Sequence, residues 1–478
     1  MADNAPRETL ATRLGFILLS AGCAIGLGNV WRFPFIVGQY GGGIFVLLYL
    51  LFLIILGFPI MMSEMAVGRG GRANLVGSFC NLASSQRKAW TWLARIMISG
   101  CLILMIYYTT VSGWLFSYTG YFARGTISNL ATESSISIAS TNLADERSFI
   151  VMIVGKFFSE LIKSPWRSTG YMVLATVLGT LICWFGVQKG VEKCVKYMMS
   201  ALLVLMVVLA VYALCTPGAK EGLAFYLKPD FANFVKAPLE TVFAAMGQAF
   251  FTLSLGVGSM TIFGSYLSWK KSLAVECAWI IVLDTFVALS AGLIVFPICK
   301  SYGIDVAQGP GLMFVSLPVA FNSMPLGRFW GTLFFLFMSL AALTTIVAVF
   351  ENLIAYLQDE HGFGRKASTL IVGIGVAMLS LPCVFGYNLL SNIHPLGGQS
   401  TILDFEDFIV SQNLLPIGAL AITVFCFSKA GWGREKFIAE VEEGQGWHFP
   451  KPVIGYWQYA IPLVIIVIFI MGYYNMFK

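Results

Sequence analysis

Two stretches of this chain place glycines beside small amide and hydroxyl side chains inside otherwise apolar runs. The first reads Ala21-Gly22-Cys23-Ala24-Ile25-Gly26-Leu27-Gly28-Asn29, the second Thr252-Leu253-Ser254-Leu255-Gly256-Val257-Gly258-Ser259. Each glycine costs a helix about 1 kcal/mol relative to alanine. Two or three together, next to Asn, Ser or Thr, point to an unwound stretch whose freed carbonyls face a site rather than lipid. Carbonyl, hydroxyl and amide oxygens are the ligands a hard cation prefers. The alternative is close helix packing through small residues, as in GxxxG interfaces. Asp284 lies in the apolar run Ile281-Val-Leu-Asp284-Thr-Phe-Val. Unpaired at mid-membrane its charge would cost at least about 2.5–3.5 kcal/mol, so it serves either a site or a helix–helix hydrogen bond. The hydroxyls of Thr344-Thr345 either face a site or bond back within their own helix.

The elements that must position these groups follow from composition. Of 478 residues, 58% are hydrophobic and 11% charged, against about 25% charged in a soluble globular chain. That excludes intrinsic disorder and a nucleic-acid-binding domain. The length allows roughly ten to twelve membrane helices of about 20 residues each. Cys23, Cys101, Cys183, Cys277, Cys383 and Cys426 lie inside apolar runs with no C-x-x-C pair, so they read as buried hydrophobes. His361, His394 and His448 are never paired at metal-ligand spacing. The first apolar stretch starts at Leu14 and runs too long for a cleavable signal peptide. The absence of Asn-x-Ser/Thr sequons favours a bacterial inner membrane.

Apolar spans predict an all-α polytopic membrane protein of about eleven helices. They cover 13–37, 43–68, 89–123, 169–186, 191–215, 240–267, 273–299, 330–358, 367–385, 402–428 and 454–476, with 124–168 and 301–329 as the main extramembrane pieces. Alternate connections collect the basic residues, among them Arg69, Arg72, Arg87, Lys88 and Arg95, then Lys189, Lys193 and Lys196. By the positive-inside rule the N-terminus is cytoplasmic, and eleven spans leave the C-terminus outside. The two broken spans are the first and the sixth. Five spans apart is the separation expected of two inverted five-helix repeats with a site at their interface. The expected division is one transporter domain over 1–478, with repeats 13–215 and 240–428 and an additional helix 454–476.

Longer motifs carry a family resemblance. They are Arg13-Leu-Gly-Phe-Ile, Gly26-Leu-Gly-Asn29-Val-Trp-Arg32-Phe-Pro34, Gly41-Gly-Gly43, Glu64-Met-Ala-Val-Gly68-Arg69, Gly247-Gln-Ala-Phe-Phe-Thr-Leu-Ser-Leu-Gly256 and Leu357-Gln-Asp359-Glu360. Over nearly its whole length the chain closely resembles the neurotransmitter:sodium symporters, in particular their bacterial amino-acid transporters. The resemblance implies the LeuT-like fold and Na⁺-driven amino-acid uptake by alternating access. It implies two Na⁺ sites and no organic cofactor. The first would use the Ala24 carbonyl, Asn29, Thr252 and Asp284, completed by the substrate carboxylate. The second would use the Gly22, Ile25 and Ala341 carbonyls with Thr344 and Thr345. Asp284 would also replace the chloride of chloride-dependent relatives, although the stretch from Asp284 to Pro297 looks one residue shorter than in some relatives.

The same resemblance implies a substrate pocket. Tyr108 and the amides around Leu27 and Gly28 would meet the carboxylate, and the carbonyls of Cys23, Phe251 and Thr252 with the Ser254 hydroxyl the ammonium. Leu104, Phe251, Val257, Thr345 and Val349 would line the side-chain subsite. Gly26 stands where monoamine transporters carry Asp, which favours a free amino acid. Val257 replaces the Phe of a relative selective for small aliphatics, which favours leucine-sized or larger substrates, aromatics included. Arg32 and Asp407 with Gln248 match the outer gate, with Phe251 and Tyr108 as a thin lid. Arg7, Tyr266 and Asp359 match the inner network, and Arg69 reads equally well as an inside-positive anchor. Glu64 is expected to accept hydrogen bonds from the broken sixth helix. Leu10 replaces a latch Trp, Ser200 stands ten residues after Gly190 where relatives carry Pro, and eleven helices are expected where many relatives have twelve. The competing readings are a channel or sensor on the same scaffold and a membrane enzyme. No Ser/His/Asp, metal or nucleotide-loop constellation supports the enzyme, and the expected partners are substrate, Na⁺ and bilayer, with the oligomeric state open.

Overall fold

In lipid a backbone must pair its own N–H and C=O groups, which an apolar run achieves as a helix. The computed structural model accordingly forms helices and no β-strand among its described residues, 10–127, 129, 143–303, 311–444 and 449–477. Two short helices, α1 (Arg13–Ala24) and α2 (Gly28–Gln39), make one span bent by 55°. They are followed by α3 (Gly43–Gly71), α4 (Arg87–Arg124), α5 (Pro165–Trp184) and α6 (Val187–Leu214). A second broken pair, α7 (Pro238–Thr252) and α8 (Ser259–Tyr266), comes next. The rest are α9 (Leu273–Ser301), α10 (Gly327–His361), α11 (Arg365–Phe385), α12 (Ile402–Phe427), the short α13 (Arg434–Val441) and α14 (Lys451–Tyr474).

Among the described residues eight helices are long and apolar enough to cross a membrane, nine with the α1–α2 pair. The two further spans expected from sequence exist as helices. The first, α5, falls short of that measure, and α7 and α8 are each too short once the chain breaks between them. Two expected connections also hold helices, Leu143–Lys163 and Leu312–Asn322.

The breaks have local causes. Ile25 caps α1 with an extended ψ of 99°, its N–H still bonded to the Ala21 carbonyl. Between α7 and α8, Ser254, Gly256 and Gly258 all take positive φ (50°, 94° and 79°). Glycine adopts this region freely, whereas serine is held there at a cost. The freed backbone is caught by a side chain: the Glu64 carboxylate of α3 accepts from Gly256 N–H (3.2 Å) and Met260 N–H (3.1 Å).

The most buried span is α10, packed along α1, α4, α5 and α6. It forms the post against which both breaks are set. Close backbone approach matters as well. A Cβ on Gly264 of α8 would overlap the Met65 carbonyl of α3, and one on Gly68 the Thr261 carbonyl. Small-residue packing and unwinding therefore coexist in this chain, at different positions. Replacing Gly264 by valine is expected to lower the detergent melting temperature by the equivalent of about 1–3 kcal/mol or more. Gly375→Val, where nothing lies within 4 Å, should leave it within error, and differential scanning fluorimetry of the two proteins checks this.

Candidate functional site

Two oxygen clusters flank the α1–α2 break. In the first, Asn29 Nδ2 donates to Asp284 Oδ1 (2.8 Å) and to the Asp284 carbonyl (3.2 Å), and Thr252 Oγ1 donates to Asp284 Oδ2 (3.0 Å). Asn29 Oδ1 accepts from Gly26 N–H (3.2 Å), which ties the break to the cluster. Helices α2, α7 and α9 thus bring together three of the four residues expected for a first cation site. The fourth, Ala24, ends α1 and lines the adjoining cavity. Asp284 is fully buried, and among the described residues no Lys or Arg pairs with it. A buried carboxylate without a cationic side chain demands another positive charge, an ion or a proton.

In the second cluster, Thr345 Oγ1 lies 3.3 Å from the Gly22 carbonyl, 3.2 Å from that of Ile25 and 3.3 Å from that of Ala341. One hydroxyl proton serves one acceptor at a time, so three carbonyls around it form an oxygen-rich cage with spare lone pairs. Thr344 Oγ1 donates to the Ala341 carbonyl of its own helix at 2.8 Å, and its Cβ lies against Gly22. The two threonines of the pair therefore do different work.

Between the clusters lies a cavity of about 30 Å³, room for one or two water molecules. From α1, α2 and the break come Cys23, Ala24, Gly26, Leu27 and Gly28; from α4, Leu104 and Tyr108. Phe251, Ser254 and Thr345 are the other expected residues on its wall, and Val410 and Leu415 of α12 join them; Thr252, Val257 and Val349, also expected there, do not line it. Tyr108 Oη accepts from Leu27 N–H at 3.2 Å. A Cβ on Gly26 would sit 2.6 Å from Tyr108 Oη and 2.8 Å from Thr345 Oγ1, so a side chain at position 26 would have to displace these hydroxyls. Val257 is fully buried with its Cγ1 facing Gly100, and Val349 is fully buried in α10.

A larger cavity of about 350 Å³ lies on one side. It shares Leu27, Gly28, Tyr108 and Phe251 with the first, so Phe251 and Tyr108 stand between them. Arg32 and Asp407 both line it without forming an ion pair. The Arg32 guanidinium lies 4.1 Å from the Phe251 ring centroid, whereas Asp407 accepts from Tyr107 Oη (3.1 Å) and Ser411 Oγ (2.7 Å). Gln248 Nε2 donates to the Gly28 carbonyl at 3.1 Å.

At the opposite, basic end the contacts regroup. Tyr266 Oη donates to Glu351 Oε1 (3.0 Å), and Arg365 grips both Glu351 oxygens (3.1 and 2.7 Å) and the Cys183 carbonyl. Asp359 Oδ2 accepts from Asn74 N–H (2.7 Å) and its side chain (3.1 Å). Arg7 lies outside the described residues. Glu192 of α6 holds the start of α1, accepting from Ala11 N–H (2.7 Å), Thr12 N–H (3.0 Å) and Thr12 Oγ1 (2.7 Å). Arg69, fully buried, reaches Glu440 of α13 and the Lys271 carbonyl (2.8 Å), so it clamps α13 to the α8–α9 connection as well as carrying charge. Sequence reasoning missed Glu351, Arg365 and Glu192. The signal for Glu351 was the one used for Asp284, an acid inside an apolar run.

The whole chain, read from residue 7 to 478, matches the sodium:neurotransmitter symporter family. This chain belongs to that family. It is 32% identical to an uncharacterized sodium-dependent transporter of Bacillus subtilis, YhdH, over 98% of both chains, and 31% identical to one of Haemophilus influenzae at the same coverage. It is 28% identical to a sodium-dependent serotonin transporter of Drosophila melanogaster, covering 98% of this chain and 77% of the relative. The crystal structure of MhsT in complex with L-phenylalanine superposes with a TM-score of 0.83 and 33% identity, over 98% of this chain and all of that one. The protein is therefore an integral membrane transporter of LeuT-like fold that uses sodium, and not an enzyme.

The geometry ranks the two threonines of this symporter. Thr345→Ala should raise the Na⁺ concentration needed for half-maximal thermal stabilisation about 5- to 100-fold, as expected for a lost buried polar partner. Thr344→Ala should raise it less. A Na⁺ titration of melting temperature, with K⁺ keeping ionic strength constant, reads the order.

Proposed function

We propose that this protein couples Na⁺ entry to uptake of a hydrophobic L-amino acid, aliphatic or aromatic, by alternating access. The observation that carries the reading is the cavity set between two oxygen clusters, polar at Leu27 and Tyr108 and apolar at Leu104, Phe251, Val410 and Leu415. The cavity as it stands must widen to admit a zwitterion, whose carboxylate would then be taken by the Leu27 amide and Tyr108 hydroxyl. Its ammonium would be taken by carbonyls at the two breaks and by Ser254. Two Na⁺ ions are assigned, one to Asn29, Thr252, Asp284 and the Ala24 carbonyl, the other to Thr345, Thr344 and the carbonyls of Gly22, Ile25 and Ala341. With Gly26 the site has no acid to pair a carboxylate-free amine, and a Cβ there would press on the Tyr108 and Thr345 hydroxyls. Asp284 supplies the fixed negative charge beside the first ion, which removes the need for chloride.

Residues 13–215 and 240–428 are assigned to two inverted repeats, with 454–476 outside them. The basic end is assigned to the cytoplasm of a bacterial inner membrane by the positive-inside rule. With eleven helices the C-terminus lies outside. The Asp407 side then opens outward through Phe251 and Tyr108. At the inner end the Tyr266–Glu351–Arg365 group holds α8, α10 and α11 together, and the Glu192 tether holds the start of α1 to α6. Opening inward requires these contacts to part, and substrate and ions shift the balance only through their differential affinity for the two states.

Proteoliposomes with an imposed inward Na⁺ gradient test the reading. Labelled leucine or phenylalanine should accumulate, and excess unlabelled hydrophobic amino acid should compete. Accumulation should vanish when K⁺ replaces external Na⁺ and persist when gluconate replaces chloride. Conductance or ligand binding without accumulation would favour a channel or sensor on the same scaffold. Asp284→Asn should abolish Na⁺-driven uptake; uptake by that variant restored by chloride would assign the acid's role to charge alone.

A further inference from the structure

Helix α12 carries a π-helical stretch, Phe408–Leu414. Its closing bond runs from the Leu415 N–H to the Val410 carbonyl, five residues back. In a plain α-helix residues five apart point about 140° away from each other. The wider i→i+5 turn brings them toward one face. Both side chains, 0% and 4% exposed, line the central cavity.

The backbone around them is fixed on two sides. A Cβ on Gly418 would overlap the Gly256 carbonyl, and one on Gly256 would overlap the Leu415 carbonyl. Helix α12 therefore lies in backbone contact with the α7–α8 break. On the other side, Leu414 packs with Val257 into the space that Gly100 of α4 leaves free. A wall held by such contacts cannot retreat freely when a bulky group presses on it.

We propose that Val410 and Leu415 form the far wall of the side-chain subsite and set the largest side chain this symporter accepts. The proposal rests on the reading of the cavity as an amino-acid site. The polar groups that meet the carboxylate and ammonium come from the breaks and from Tyr108. The substrate's variable group is left to Leu104, Phe251 and these two residues. Selectivity between aliphatic and aromatic substrates then resides in α12, outside both broken helices.

The test is competition binding on the purified full-length protein with alanine, valine, leucine, phenylalanine and tryptophan, in Na⁺ and in K⁺. Leu415→Ala and Val410→Ala should shift the affinity ratio of tryptophan to leucine toward tryptophan by about tenfold, the scale of a methylene or two in an apolar pocket. Val410→Phe should weaken phenylalanine and tryptophan by about tenfold or more while alanine changes little. Leu415→Met, of similar volume, should keep the wild-type order. The Na⁺ dependence should stay unchanged in all four, because neither oxygen cluster is touched. If Leu415→Ala does not fold, Leu415→Val and Val410→Ala carry the same comparison. A uniform change across the five amino acids, or an unchanged order, would overturn the wall while leaving the transporter reading intact. A wild-type protein that binds none of them in Na⁺ would overturn that reading, and the wall with it.

Discussion

A carbonyl released from a helix inside a bilayer has no water to turn to. This chain breaks two of its helices, after Ala24 and after Thr252, and much of the interior is arranged around that constraint. Glu64 takes up amides of the second break. Thr345 gathers carbonyls of the first, and Asn29 links the first break to Asp284. What these side chains leave over, spare lone pairs and one uncompensated buried carboxylate, is the chemistry of a cation site. Support and function are thus the same problem solved at neighbouring atoms.

The second constraint is reversibility. A carrier must part the contacts that close each end, so they cannot be too strong. At the Asp407 mouth Arg32 stacks on Phe251 while Asp407 is held by Tyr107 and Ser411. Exposed ion pairs contribute only about 0–1 kcal/mol, so closing this mouth by pairing Arg32 with Asp407 would add little to one state. The basic end is knit more densely. Glu351 is buried and doubly bonded to Arg365, and separating such a pair leaves a charge that must be hydrated. Water entering from the basic end would meet that need as the contacts part.

The bundle was largely legible in the residues. Apolar runs marked the helices, and clustered glycines marked the breaks. Asp284 stood out because a charge in an apolar run needs a reason, and the same argument applied to Glu351 would have found it. Arg69 read equally well as part of the inner network and as an anchor, and the fold buries it between Glu440 and the Lys271 carbonyl. Nothing local could announce that, since its partners lie hundreds of residues away. The helix Leu143–Lys163 was hidden for a related reason: its apolar run is short and flanked by charge.

By itself the sequence determined the class of protein, the family, the two unwound stretches and the residue types able to meet a cation. Those depend on composition and on short-range chemistry. The tertiary structure decided which atoms meet. It separated Thr345, among three carbonyls, from Thr344, bonded to its own helix. It also turned Val410 and Leu415 of a distant helix into the cavity. A hydroxyl's partner and a side chain's direction depend on helix rotation and on turns such as the π-helical stretch of α12, and those are set only when the helices pack.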